Sequence, residues 1–93
     1  MAYLQRSVVW APNAYWMFDD ALAFIASGSR IACENFLDDV LHATDQLGKF
    51  ADDGRVVPEL RRRDIREVFV GRYRLQYRVE RERVEIVAFP RSR

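Results

Sequence analysis

The sequence predicts an α+β fold: an N-terminal strand, an antiparallel helical hairpin, then a three-stranded antiparallel meander. Apolar residues recur at helical spacing through residues 12–47, and they alternate with polar ones between residues 65 and 89. The breaks between these segments are short, so consecutive elements must lie side by side.

Residues 3–10 end in Ser7-Val8-Val9-Trp10, whose β-branched and aromatic side chains suit a strand. Pro12 follows at the first turn of a helix, where its missing N–H is not needed. Ala14, Phe18, Ala21 and Ile25 then mark the buried stripe of helix one, with Asp19 and Asp20 facing elsewhere. Ser27-Gly28-Ser29 is expected to break this helix, Gly28 in the left-handed conformation and Ser29 as the cap of the next. Helix two, at about residues 30–47, is expected to bury Ala32, Phe36, Val40, Ala43 and Leu47 and to close at Gly48. Its other face carries Glu34, Asp38, Asp39 and Asp45.

Beyond it, Lys49 to Arg55 reads as a loop with a turn at Asp53-Gly54. Residues 56–60 read as extended, because Pro58 keeps Val57 out of helical geometry. Three strands complete the chain: Ile65 to Val70, Arg72 to Val79 after a turn at Gly71, and Arg83 to Phe89 after Glu80-Arg81-Glu82.

Ninety-three residues make one domain, 1–93, with a small core that a protein partner would help to stabilise. No apolar run is long enough for a membrane span, and Met1 to Arg6 lacks the layout of a signal peptide. Cys33 is the one cysteine, so neither a disulfide framework nor a cysteine-based metal site is available. No metal or cofactor is expected, and the expected compartment is the cytoplasm.

A net charge of +1 conceals a division of the chain. Residues 1–54 hold three basic groups against eight acids, whereas residues 55–93 hold twelve arginines against six acids. Arginine keeps its charge when partly buried and makes planar, bidentate contacts with carboxylate and phosphate. Along the strand from Arg72 to Val79, Tyr73, Leu75, Tyr77 and Val79 alternate with Arg72, Arg74, Gln76 and Arg78. One face therefore packs on the hairpin and the other presents a row of guanidiniums. Such a row needs neutralising, either by acids on adjacent strands such as Glu67 and Glu85 or by an external anion or acidic partner.

The segments Gly54-Arg55-x-x-Pro58-Glu59, Arg66-Glu67, Tyr73-Arg74-Leu75-x-Tyr77-Arg78-Val79 and Val84-x-Ile86, with a hairpin of similar length, resemble the RelE/ParE family of bacterial toxins. The resemblance covers nearly the whole chain and is closer to ParE-like members. It implies a toxin of a type II toxin–antitoxin module, held inactive by a cognate antitoxin in a hetero-oligomer. RelE-like members cut mRNA on the ribosome; ParE-like members poison DNA gyrase.

Cleaving RNA requires an acid, a base and cations at the phosphate. The sheet offers Arg66, Arg72, Arg74 and Arg78 as cations, and the resemblance implies that Arg74 would meet the phosphate in a ribonuclease. The lysines that RelE-like enzymes carry before the Tyr-Arg element have no counterparts, since Lys49, in a loop, is the sole lysine. His42 is expected on the surface of helix two. No histidine follows the last strand, where Ala88-Phe89-Pro90-Arg91 stands, and no tyrosine follows it. Tyr73 and Tyr77 are expected in the core.

A gyrase poison needs a binding surface, for which Arg66, Arg72, Arg74, Arg78 and Arg91 are the candidates, with Arg93 extending the charge. Tyr15 and Trp16, beside the buried stripe of helix one, are candidate interface anchors. A nucleic-acid-binding module that is not a toxin ranks third, because the arginine face lacks the interleaved aromatics of a single-strand platform. The arginine row best suits an amphipathic antitoxin segment bearing Asp or Glu.

Overall fold

The computed structural model describes residues 5–92. Tyr3 and Leu4 of the expected first strand, and Arg93, lie outside them. Five strands and two helices follow in the order β1 (Ser7–Trp10), α1 (Pro12–Gly28), α2 (Arg30–Lys49), β2 (Arg55–Val56), β3 (Ile65–Val70), β4 (Tyr73–Val79) and β5 (Arg83–Ala88). They form one sheet of order β1-β5-β4-β3-β2. The expected meander is its centre. The N-terminal strand joins it by pairing parallel to β5, with Val8 opposite Val84 and Trp10 opposite Ile86. Arg55 and Val56 supply β2, antiparallel to β3, whereas residues 58–61, expected to be extended up to Leu60, form a turn in which the Leu60 N–H donates to the Val57 carbonyl.

The hairpin lies across one face of this sheet. Ala14 and Ala21 of α1, and Phe36, Val40 and Leu47 of α2, are buried against Leu75, Tyr77, Val84, Ile86 and Phe89. Ala14 and Ala21 let the backbone of α1 approach closely, while aromatic rings fill the space beyond. Trp10 stacks on Phe18 at 4.9 Å, and Tyr73 on Phe89 at 5.2 Å. Ala32, expected in the core, is exposed, and Cys33 is partly buried instead.

Two glycines act differently from expectation. Gly28 remains helical, and the break is the single extended residue Ser29 (φ −162°), whose hydroxyl accepts from the Ala32 N–H at 3.1 Å. Gly48 does not end α2, which runs on to Lys49. It is buried, its carbonyl accepts from the Arg6 N–H at 2.7 Å, and a Cβ there would lie 2.8 Å from the Arg6 carbonyl oxygen. Close approach of the chain leading into β1 is what requires a glycine.

Candidate functional site

Strand register sorts the arginines. Opposite residues on paired strands share a face. Arg66, Val68 and Val70 face the hairpin with Tyr77, Leu75 and Tyr73, while Ile65, Glu67 and Phe69 share the far face with Arg78, Gln76 and Arg74. Arg66 therefore does not belong to the arginine row. Its Nη1 donates to the Gly54 carbonyl at 2.7 Å, an anchor for the preceding loop. Arg72 lies not within β4 but in the turn before it, where Gly71 takes φ +57°.

The far face is organised around Glu67, 1% exposed. Its Oε1 accepts from Arg74 Nε at 2.7 Å and from Gln76 Nε2 at 3.1 Å. Its Oε2 accepts from Arg55 Nε at 2.8 Å and from Arg74 Nη2 at 3.0 Å. Burial pushes this carboxyl's pKa up, but the donors from Arg74, Gln76 and Arg55 outweigh it and hold the group below the usual range. The other edge of Arg74 is taken by Glu59, whose two oxygens accept from Nη1 at 2.7 Å and Nη2 at 2.9 Å. These hydrogen bonds bring Glu59 down to about 2, and the two carboxylates together raise Arg74 above its ordinary value. Arg78 is likewise paired, with Glu85 at 2.5 Å and Glu80 at 3.5 Å. Internal acids thus neutralise the row at Arg74 and Arg78.

The Gly-Arg-x-x-Pro-Glu element is the brace of this arrangement. The Gly54 N–H donates to the Tyr77 hydroxyl at 2.9 Å, and that hydroxyl donates to the Ala51 carbonyl at 2.8 Å. Tyr77 is fully buried. Burial raises the pKa of its phenol, so it stays a protonated donor. A Cβ at Gly54 would collide with that hydroxyl and with the Glu67 carbonyl oxygen, the latter at 2.6 Å. Arg55 then reaches Glu67, and Glu59 closes over Arg74. Tyr77 belongs to the core and Tyr73 is partly buried against it, while His42 is exposed on α2.

Arg72 and Arg91 are different. Among the described residues neither forms an ion pair, and Arg91 instead stacks over the Phe24 ring at 5.6 Å. The C-terminal segment brings them together: Tyr73 bridges to Arg91, and the Ser92 N–H donates to the Arg72 carbonyl at 2.6 Å. A recess of about 510 Å³ lies between Gly71, Arg72, Arg91 and Ser92. A second, of about 280 Å³, runs alongside over an apolar floor of Phe24, Ile25, Phe36 and Tyr73, and shares both arginines. Phe24 is 62% exposed, a feature that helical spacing had not singled out. Tyr15 and Trp16 are exposed, in edge-to-face contact at 5.3 Å. No group of three potential metal ligands occurs among the described residues, and no described helix is long and apolar enough to cross a membrane.

A family model described as the ParE toxin of the type II toxin–antitoxin system parDE matches residues 8–93. A solved chain of the chromosomal ParDE TA system from P. aeruginosa is similar at a TM-score of 0.75 and 15% identity, with 96% of this chain and 98% of that chain covered. That likeness speaks for the fold. No curated protein matches this sequence.

Proposed function

This chain belongs to the ParE toxin family of type II toxin–antitoxin systems, and on that premise we propose that it acts by binding, as a cytoplasmic gyrase poison neutralised by a cognate antitoxin. The observation that carries this reading is the contrast between Arg74 and the pair Arg72 and Arg91. Arg74, the residue a RelE-like ribonuclease would turn to the phosphate, has Nε, Nη1 and Nη2 all engaged by Glu67 and Glu59. The Tyr77 hydroxyl is spent on Gly54 and Ala51. With the Arg74 guanidinium and the Tyr77 hydroxyl both committed within the fold, neither is free to meet a phosphate or move a proton, which argues against mRNA cleavage.

Arg72 and Arg91, beside the floor formed by Phe24, Phe36 and Tyr73, suit an antitoxin segment that seats an apolar side chain and places Asp or Glu against the guanidiniums. Of the candidate docking residues, Arg72 and Arg91 keep that role, while Arg66, Arg74 and Arg78 maintain the sheet. Purified protein assayed for gyrase-dependent DNA breaks and for codon-positioned mRNA cleavage on ribosomes tests the target. DNA breaks with intact mRNA are expected; mRNA cleavage without DNA breaks would overturn the gyrase reading.

A further inference from the structure

The opposite end of the sheet carries a second basic surface, assembled from two segments distant in sequence. Ile65 pairs with Arg78 across β3 and β4, so the loop before β3 and the β4–β5 turn emerge at the same end. Residues 61–64 and 78–83 together hold six arginines (Arg61, Arg62, Arg63, Arg78, Arg81, Arg83) against three acids (Asp64, Glu80, Glu82). Two of the three acids are consumed, and Glu82 is exposed with no ion pair among the described residues. Asp64 takes Arg62 through two hydrogen bonds, at 3.1 and 2.7 Å, and Glu80 pairs with Arg78 and Arg83. Arg61, Arg63 and Arg81 are exposed and, among the described residues, form no ion pair.

The loop is also held in shape. Arg61 is the one described non-glycine residue with positive φ, at 51°. A left-handed arginine is strained and persists only where its surroundings enforce it. The enforcing contacts lie on either side. Val57, almost fully buried, donates its N–H to the Ile65 carbonyl at 3.1 Å; Glu59 is clamped to Arg74; Arg62 is tied to Asp64. Arg61 and Arg63 are thus presented on a fixed loop, which lowers the entropy lost on contact.

We propose that Arg61, Arg63 and Arg81 form a phosphate-contacting surface for the backbone of duplex DNA. A DNA backbone asks only for exposed, spaced cations and no deep pocket. An acidic peptide would also need apolar anchorage, and the recess that offers it lies at the Arg72–Arg91 end. The surface leaves that other end open, so DNA contact and antitoxin docking use separate faces of the molecule.

The test is fluorescence anisotropy of the intact protein with a short mixed-sequence duplex across a salt series, with neither gyrase nor antitoxin present. Its outcome is therefore separate from that of the gyrase assay. Each phosphate contact contributes a slope of about 0.9 in the log–log plot of affinity against salt, so three contacts predict a loss of about 40-fold in affinity between 50 and 200 mM salt. Each of R61S, R63S and R81S is expected to lower the slope by just under one, whereas Arg30→Ser, at the start of α2, leaves it unchanged. Lysine at the same three positions retains the slope, since backbone contact requires charge rather than a planar fork. Unchanged slopes in R61S, R63S and R81S, or no binding to duplex at low salt, would overturn the proposal. Tighter binding to polyglutamate than to duplex at equal ionic strength would also overturn it and assign the surface to an acidic protein.

Discussion

Glu67 and Arg74, on adjacent strands, meet through two hydrogen bonds of 2.7 and 3.0 Å in which the carboxylate is wholly buried and the arginine side chain is 17% exposed. The pair turns an apparent ligand-binding arginine into a part of the fold. A buried carboxylate is tolerated only when its lone pairs are filled, and Arg55, Arg74 and Gln76 fill them.

Breaking this arrangement at its centre should be costly. Glu67→Gln removes the negative charge facing Arg55 and Arg74 while nearly preserving shape. The expected loss is about 3 kcal/mol of unfolding free energy, the range for removing one partner of a buried pair. Urea denaturation measures it, and a loss below about 1 kcal/mol would show that the charge matters less than the packing.

The same carboxylates set the response to acid. Glu59 and Glu67 both have folded-state pKa values below their ordinary range, Glu59 near 2 against 4.5. A depressed carboxylate contributes stability that is fully present above its unfolded pKa and is lost as pH falls through its folded value. Stability should therefore decline from about pH 4.5 towards pH 2. Glu59→Gln should flatten part of that decline while leaving stability near neutral pH only slightly reduced, because Glu59 is exposed. Thermal melts at several pH values would show it.

Gly54 and Tyr77 form a second joint. Gly54→Ala drives a methyl group into the Tyr77 hydroxyl and the Glu67 carbonyl, both part of the buried sheet. The expected cost is about 2 kcal/mol or more. Tyr77→Phe leaves the Gly54 N–H and the Ala51 carbonyl without their partner, at about 1–3 kcal/mol. Non-additive losses in the double variant would confirm that the two residues act as one joint.

Reversing charge at the Arg72–Arg91 end tests the proposed docking assignment. The R72E/R91E variant should fold normally, since neither guanidinium pairs with a carboxylate among the described residues. Antitoxin association should slow by about 10-fold and lose most of its salt dependence, because exposed charges act mainly on encounter. Stopped-flow association at several salt concentrations is the measurement. An unchanged rate would place the antitoxin elsewhere.

Several features of this protein were legible from local pattern alone. The stripe of Ala14, Phe18, Ala21 and Ile25, the Ser29 cap and the alternation of Tyr73, Leu75 and Tyr77 each follow from a repeat that a few neighbouring residues impose. The Gly-Arg-x-x-Pro-Glu and Tyr-Arg elements carried the family resemblance. What local pattern could not decide was which partner each arginine would find. Alternation shows that Arg74 and Arg78 share a face, but only the register of β3, β4 and β5 places Glu67 and Glu85 beside them. Only the path of the loop after β2 brings Glu59 over Arg74. The helical pattern reads as ending at Gly48, yet a glycine is needed there because the chain entering β1 approaches α2 closely at that point. Local pattern was enough for the two helices, the three central strands and the family resemblance. Which charges are neutralised and which remain available followed only from the folded arrangement, because an ion pair depends on separations in space that chain distance does not specify.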